Sequence, residues 1–186
     1  LKTRDRTKPF FLMSSFVRPH QPFDAPKNYF DMYKDKTLRE PAMGDWIDKT
    51  LTEKYGHIKD SIYGCKDKDL RHEAMCGYYA CITHIDHQIG RLITSLMEDG
   101  TFDNSIILFF ISDHGELLFD NNLYRKVFPY EGSTHVPLII HVGNNIKHKP
   151  PFRSDTLVEL RDIMPTILDF AGIKIPNGVD GFSLAQ

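Results

Sequence analysis

Two short polar clusters, each following an apolar run, carry the side chains best suited to chemistry. Asp113-His114-Gly115 follows the stretch from Ser105 to Ser112, and Arg18-Pro19-His20 follows Pro9 to Val17. An aspartate at a strand end, next to a second donor and a glycine that lets the backbone turn sharply, makes a workable corner for a metal ion. Its imidazole suits manganese or zinc better than calcium, which prefers oxygen. Each residue also has an ordinary reading when taken singly: Asp113 capping a turn, His20 as a hydrogen-bonded structural histidine, Lys126 as a solvated charge.

The elements that must position them follow from the pattern of apolar residues. Pro9 to Val17 reads as a short buried strand that ends at Arg18-Pro19. Ser105 to Ile111 is apolar throughout, as in a strand covered on both faces of a parallel sheet, and Val136 to Val142 reads as a second such strand. Met75, Tyr78, Ile82, Ile85, Ile89, Leu92 and Leu96 recur three and four apart, which places them on one face of a long helix from His72 to Glu98, stopped by Asp99-Gly100. A last helix is expected from Asp162 as N-cap, with Pro165 in its first turn and Gly172 as its left-handed stop. Residues 24–64 form a long excursion with a short helical possibility at 45–55. Its Tyr29, Tyr33 and Trp46 would serve equally well to wall a ring-binding pocket or to anchor the excursion to the core. This alternation implies an α/β sandwich with a mostly parallel central sheet flanked by helices, whose ligands gather beyond the carboxyl ends of the strands.

Composition narrows the functional classes. The 186 residues are 41% hydrophobic and 26% charged, the balance of a globular domain that can bury a core. A formal charge of −2 with no Lys/Arg run gives no footprint for nucleic acid or for a polybasic membrane patch. Both long apolar runs fall far short of the roughly 20 residues a membrane helix needs. Three cysteines, Cys65, Cys76 and Cys81, are too few for a disulfide framework and read as packing residues. The chain opens Leu1-Lys2-Thr3-Arg4 and shows no signal-peptide core, so its natural start is expected to lie upstream.

The order of these pieces resembles the sulfatases of the alkaline-phosphatase superfamily. The likeness runs from Lys8-Pro9-Phe10-Phe11-Leu12 and Pro19-His20-Gln21-Pro22-Phe23, through Tyr79-Ala80, Ile85-Asp86 and Ile89-Gly90-Arg91-Leu92, to Ser112-Asp113-His114-Gly115-Glu116. It continues in Lys126, Tyr130-Glu131-Gly132-Ser133 and Val136-Pro137-Leu138-Ile139, then in Asp162-Ile163-Met164-Pro165-Thr166 and Val179-Asp180-Gly181-Phe182-Ser183-Leu184. The resemblance implies hydrolysis of a small-molecule or glycan sulfate ester. Asp113 and His114 would bind a divalent cation, calcium first, with manganese, magnesium or zinc as alternatives. His20 would face the sulfate or its leaving oxygen, and Lys126 would contact the sulfate. The task suits these types, since a sulfate ester needs positive charge on its oxygens and an acid for the departing alcohol.

Two departures stand out. Relatives commonly carry Gly-Asp-His-Gly in the loop after Glu116, where this chain has Phe119-Asp120-Asn121-Asn122. The family's nucleophile, a formylglycine made from Cys or Ser in a Cys/Ser-x-Pro/Ala-x-Arg motif, has no counterpart among these residues. The expectation is therefore a partial catalytic domain over 1–186, with the nucleophile upstream, inactive alone and dependent on a missing segment or on self-association. A phosphodiesterase or phosphonate monoester hydrolase of the same superfamily is the alternative enzyme, and a sulfated-glycan binding module the non-enzymatic one. The resemblance favours a periplasmic or extracellular address, while the oligomeric state stays open.

Overall fold

The computed structural model describes residues 3–57, 62–104 and 108–185. These divide into two compact units, 1–147 and 148–186.

The first unit is organised by one long helix, α3 (Lys68–Glu98), preceded by the short helices α1 (Lys27–Phe30) and α2 (Lys49–Tyr55). Asp67 starts α3 by accepting the backbone N–H groups of Asp69 at 2.9 Å and Leu70 at 3.2 Å, about two turns before the apolar periodicity begins at Met75. Gly100 stops it with φ +70°. The helix buries only its first half, through Met75, Cys76, Gly77, Ala80 and Cys81. Met75 packs there with Leu118 and Phe119 from the loop after Glu116, flanked by Phe23, Leu38, Tyr78 and Tyr124. Helix α1 lies along α3, with the Tyr29 ring 4.8 Å from that of His84 and the Tyr33 hydroxyl 2.5 Å from Thr83 Oγ1. Tyr29 and Tyr33 are thus anchors. Trp46 is not, and its ring meets Tyr130 at 5.6 Å.

Strands β1 (Leu108–Phe110) and β2 (Ile139–His141) pair antiparallel, with Leu108 opposite His141 and Phe110 opposite Ile139. The expected strand residues 105–107 lie outside the described residues. The antiparallel pairing corrects the expectation of a parallel sheet for this pair. Parallel neighbours need a crossover connection, usually a helix. Residues 111–138 instead hold one 3-10 turn at Asp120–Asn122 and the four-residue helix α4 (Glu131–Thr134), and they return the chain alongside itself.

The buried strand expected at Pro9 to Val17 is also corrected. The segment takes no strand, and Phe11, Met13 and Val17 are 73%, 78% and 77% exposed. A strand of this composition needs neighbours on its edges and faces, and none runs alongside it among the described residues.

In the second unit α5 (Ile163–Phe170) begins and ends where expected, with Gly172 at φ +66° after it. Asp162 precedes it without capping it. Its buried carboxylate accepts Glu159 N and Phe182 N, each at 2.8 Å, and those two amides hold it below the usual carboxylate range.

Candidate functional site

The corner at Asp113 and His114, a candidate for a metal, is built by a turn whose groups are almost all engaged locally. After β1, the Ser112 hydroxyl donates to His114 O at 2.7 Å. His114 Nδ1 lies 2.8 Å from Gly115 O. A carbonyl only accepts, so Nδ1 carries a hydrogen, and Nε2 is the nitrogen left to hold a lone pair whenever the ring is uncharged. Gly115 is required here, since a Cβ on it would stand 2.2 Å from Gly132 O while its N–H donates to Ser133 O at 2.8 Å. The corner and α4 are therefore clamped together.

His20 is fixed by the same logic. It sits in the turn after Val17, and its Nδ1 is 2.9 Å from Gln21 O, which assigns the hydrogen to Nδ1 and leaves Nε2 as acceptor. That acceptor faces Lys126 Nζ at 2.6 Å. The His20 and His114 rings meet edge-on, 5.9 Å between centroids. Residues 20, 114 and 126, far apart in sequence, thus face one point. Asp113 is beside them, its carboxylate 85% exposed and its Oδ2 3.6 Å from His114 Nε2.

Glu116 holds the lysine in place, a part that sequence reasoning did not assign to it. One of its oxygens accepts the N–H of Leu118 at 3.2 Å and, very closely, the N–H of Arg125, the residue before Lys126. Burial pushes the Glu116 carboxyl above its ordinary value, opposed first by those two amides and then by the charges of His114 and Lys126. Between the two ends, Leu118, Phe119, Asn121, Asn122 and Arg125 all take positive φ, from 43° to 74°. The glycines absent from this loop are replaced by residues that accept the left-handed region at a cost. Asn tolerates it, while Leu118 and Phe119 are held there by burial, 4% and 6% exposed. Asp120 and Asn121 then dock the loop on the excursion, accepting Ala42 N at 2.8 Å and Gly44 N at 2.9 Å.

Asp113 and His114 fit a divalent cation as two of its donors. One is a carboxylate and the other an imidazole nitrogen, and two ligands each about 2.1–2.3 Å from one ion stand roughly 3–3.7 Å apart. Among the described residues no three His, Cys, Asp or Glu side chains cluster as a metal-holding group. Cys76 and Cys81 are 0% and 1% exposed, and burial pushes both thiols up, which suits packing residues rather than nucleophiles.

A family model described as Sulfatase matches residues 1–173. The chain is 52% identical over 185 residues to an arylsulfatase of Clostridium perfringens, covering 99% of this chain and 38% of that relative. It is similar in structure to a phosphonate monoester hydrolase from Silicibacter pomeroyi, with a TM-score of 0.77 and 32% identity over 91% of this chain and 35% of that one. A phosphonate monoester hydrolase of Agrobacterium radiobacter gives a TM-score of 0.79 at 26% identity, over 98% of this chain and 38% of that one. The chain spans about 38% of the length of the curated arylsulfatase it matches.

Proposed function

The chain belongs to the sulfatase family, and from that premise we propose that its His20, Lys126, Asp113 and His114 serve the hydrolysis of an aryl or carbohydrate sulfate ester. The observation that carries this reading is the convergence of His20 Nε2 and Lys126 Nζ at 2.6 Å beside the His114 ring. A lysine ammonium beside an imidazole makes a receptor for an anion when its hydrogens turn from the ring to the ligand. The Lys126 ammonium would draw in the sulfate oxygens and stabilise the charge that grows on them, and His20, carrying a proton, would give it to the departing alcohol oxygen. Asp113 and His114 would hold part of a divalent cation, which supplies Lewis-acid polarisation of the sulfate when bound. The fold we assign is an alkaline-phosphatase-like α/β sandwich with residues 1–186 in its catalytic domain, supported by the likeness to the two hydrolase structures. In it we place a mostly parallel central sheet. The nucleophile of this reading is a formylglycine contributed by residues other than Cys65, Cys76 and Cys81.

A phosphonate monoester or phosphodiester substrate is the second reading, favoured by those same structural likenesses and by an imidazole in the metal pair. Turnover of 4-nitrophenyl sulfate, bis(4-nitrophenyl) phosphate and phenyl phosphonate esters by the native protein separates the two. The sulfate should be cleaved fastest, and His20→Ala and Lys126→Ala should each lower its turnover by about 10²–10⁴. Faster cleavage of a phosphorus ester transfers the assignment to the second reading. Variants as active as the unaltered protein remove these residues from the chemistry.

A further inference from the structure

We propose that the cavity between α2 and the segment after Lys126 is a pocket for one aromatic ring, the ring of an aryl sulfate leaving group. The cavity is about 150 Å³ and is walled by Trp46, Leu51, Tyr63, Leu123, Phe128 and Tyr130. An apolar cavity of about 150 Å³ suffices for benzene. Four of its walls are aromatic, with Tyr130 packed at 5.6 Å from Trp46 and 5.9 Å from Phe128. Rings in such a setting take a further ring edge-on or offset.

One polar group of the wall has no partner of its own. Thr52 lines the cavity, is 7% exposed, and its buried Oγ1 has no hydrogen-bond partner. An unpaired buried hydroxyl is costly and gains from a ligand oxygen or nitrogen. Two oxygens of the other polar walls are already engaged. Asn121 Oδ1 accepts Gly44 N at 2.9 Å, and Asp48 Oδ1 accepts the Thr50 N–H at 2.9 Å and its hydroxyl at 2.6 Å. With walls that are mostly aromatic or aliphatic, a planar ring is a better match than a sugar ring, which needs several directed partners.

The pocket also lies on the machinery already described. Phe128 is two residues from Lys126, a Cα span of at most about 7 Å. Asn121 and Leu123 belong to the loop that Glu116 closes. The segment ending at Tyr130 is tied to the corner at Asp113 and His114, because the Ser133 hydroxyl donates to Tyr130 O at 3.0 Å and Ser133 O receives Gly115 N.

The identity of the ligand rests on the sulfatase reading, whereas ring binding itself does not. Trp46 is the single tryptophan among these 186 residues and lines the pocket, so the part of the quenching that Trp46→Phe abolishes reports it. Titrating the native protein with 4-nitrophenol should give saturable quenching, weakened about tenfold in Tyr130→Ala and severalfold in the near-isosteric Thr52→Val. The preference for 4-nitrophenyl sulfate over n-butyl sulfate should fall in step. Methyl β-glucoside should not compete. Linear, collisional quenching in the unaltered protein overturns the pocket. So does saturable quenching unchanged in both variants, or displacement by the glucoside. If no sulfate ester is cleaved yet quenching saturates and responds to both variants, the ring pocket stands and the sulfatase reading falls.

Discussion

The carboxylate of Glu116 acts on the site through backbone rather than through substrate. By accepting Leu118 N and Arg125 N it closes the loop whose next residue is Lys126, so the ammonium inherits its position from a buried acid. Removing that acceptor strands two amides in a poorly hydrated place, and each such donor costs about 1–3 kcal/mol. Glu116→Ala is therefore expected to lose about 2 kcal/mol and to lower turnover at least tenfold through misplacement of Lys126. Glu116→Gln keeps one amide oxygen as acceptor and should recover most of the stability. Melting temperatures and kcat for the pair decide it, and a Glu116→Ala protein that melts and turns over like the unaltered one refutes the role. The candidate residues that the structure brings near one another, His20, Asp113, His114 and Lys126, were legible in the sequence because they sit in motifs of fixed order. Glu116 was visible in its motif but not in its task, since no pattern announces a bond from a side chain to an amide nine residues on.

At the scale of elements, periodicity found what it can measure. The spacing from Met75 to Leu96 located α3, and Gly100 and Gly172 marked helix stops, because both signals are local. It could not find the burial of Leu117, Leu118 and Phe119, which lie in an irregular loop at 0%, 4% and 6% exposure. Nor could it decide strand direction, which depends on whether the intervening chain contains a crossover. Two glycines of α3 test how closely this helix is fitted to the site. A Cβ at Gly77 would stand 2.5 Å from Phe23 O and 3.0 Å from Phe23 Cβ, three residues from His20, whereas one at Gly90 meets nothing within 4 Å. Gly90→Ala should stabilise the protein by about 0.5–1 kcal/mol through helix propensity. Gly77→Ala gains the same propensity but must push the backbone of Phe23, so a net loss of about 1–3 kcal/mol is expected. Denaturant midpoints for both variants check this, and equal stabilisation would show that α3 does not press on the His20 turn.

At the scale of the whole molecule, exposed apolar side chains occur along the chain, and they are dense in one stretch near its start. Phe11, Leu12, Met13 and Val17 are 58–78% exposed within one stretch of the first unit. Surface of this kind drives association. The 186-residue chain by itself should therefore show a mass that rises with concentration in analytical ultracentrifugation, and Leu12→Lys with Val17→Lys should return it to a monomer; a monomeric unaltered chain at 100 μM contradicts the expectation. Stability of the first unit should also carry a specific alkaline signature. Tyr78 sits on α3 against Phe23, 5.5 Å between rings, and packs on the cluster of Met75, Leu118 and Phe119. Burial pushes its phenol from the ordinary 10.0 to about 12, with the Glu116 charge adding to the shift. Between those two values the unfolded chain has released the phenolic proton while the folded chain still holds it. The folded state then binds more protons, so stability falls as pH rises through that window and is fully retained below pH 10. One proton gives a slope of at most about 1.4 kcal/mol per pH unit. Phenylalanine cannot ionise, so Tyr78→Phe should flatten the decline by that share while leaving stability at pH 8 within about 1 kcal/mol. Urea midpoints at pH 8, 10 and 11 for the two proteins measure the difference directly, because every other titrating group is common to both. Parallel declines would mean that Tyr78 ionises as freely in the folded state as in the unfolded one, and that the core beside the His20 turn is open to water.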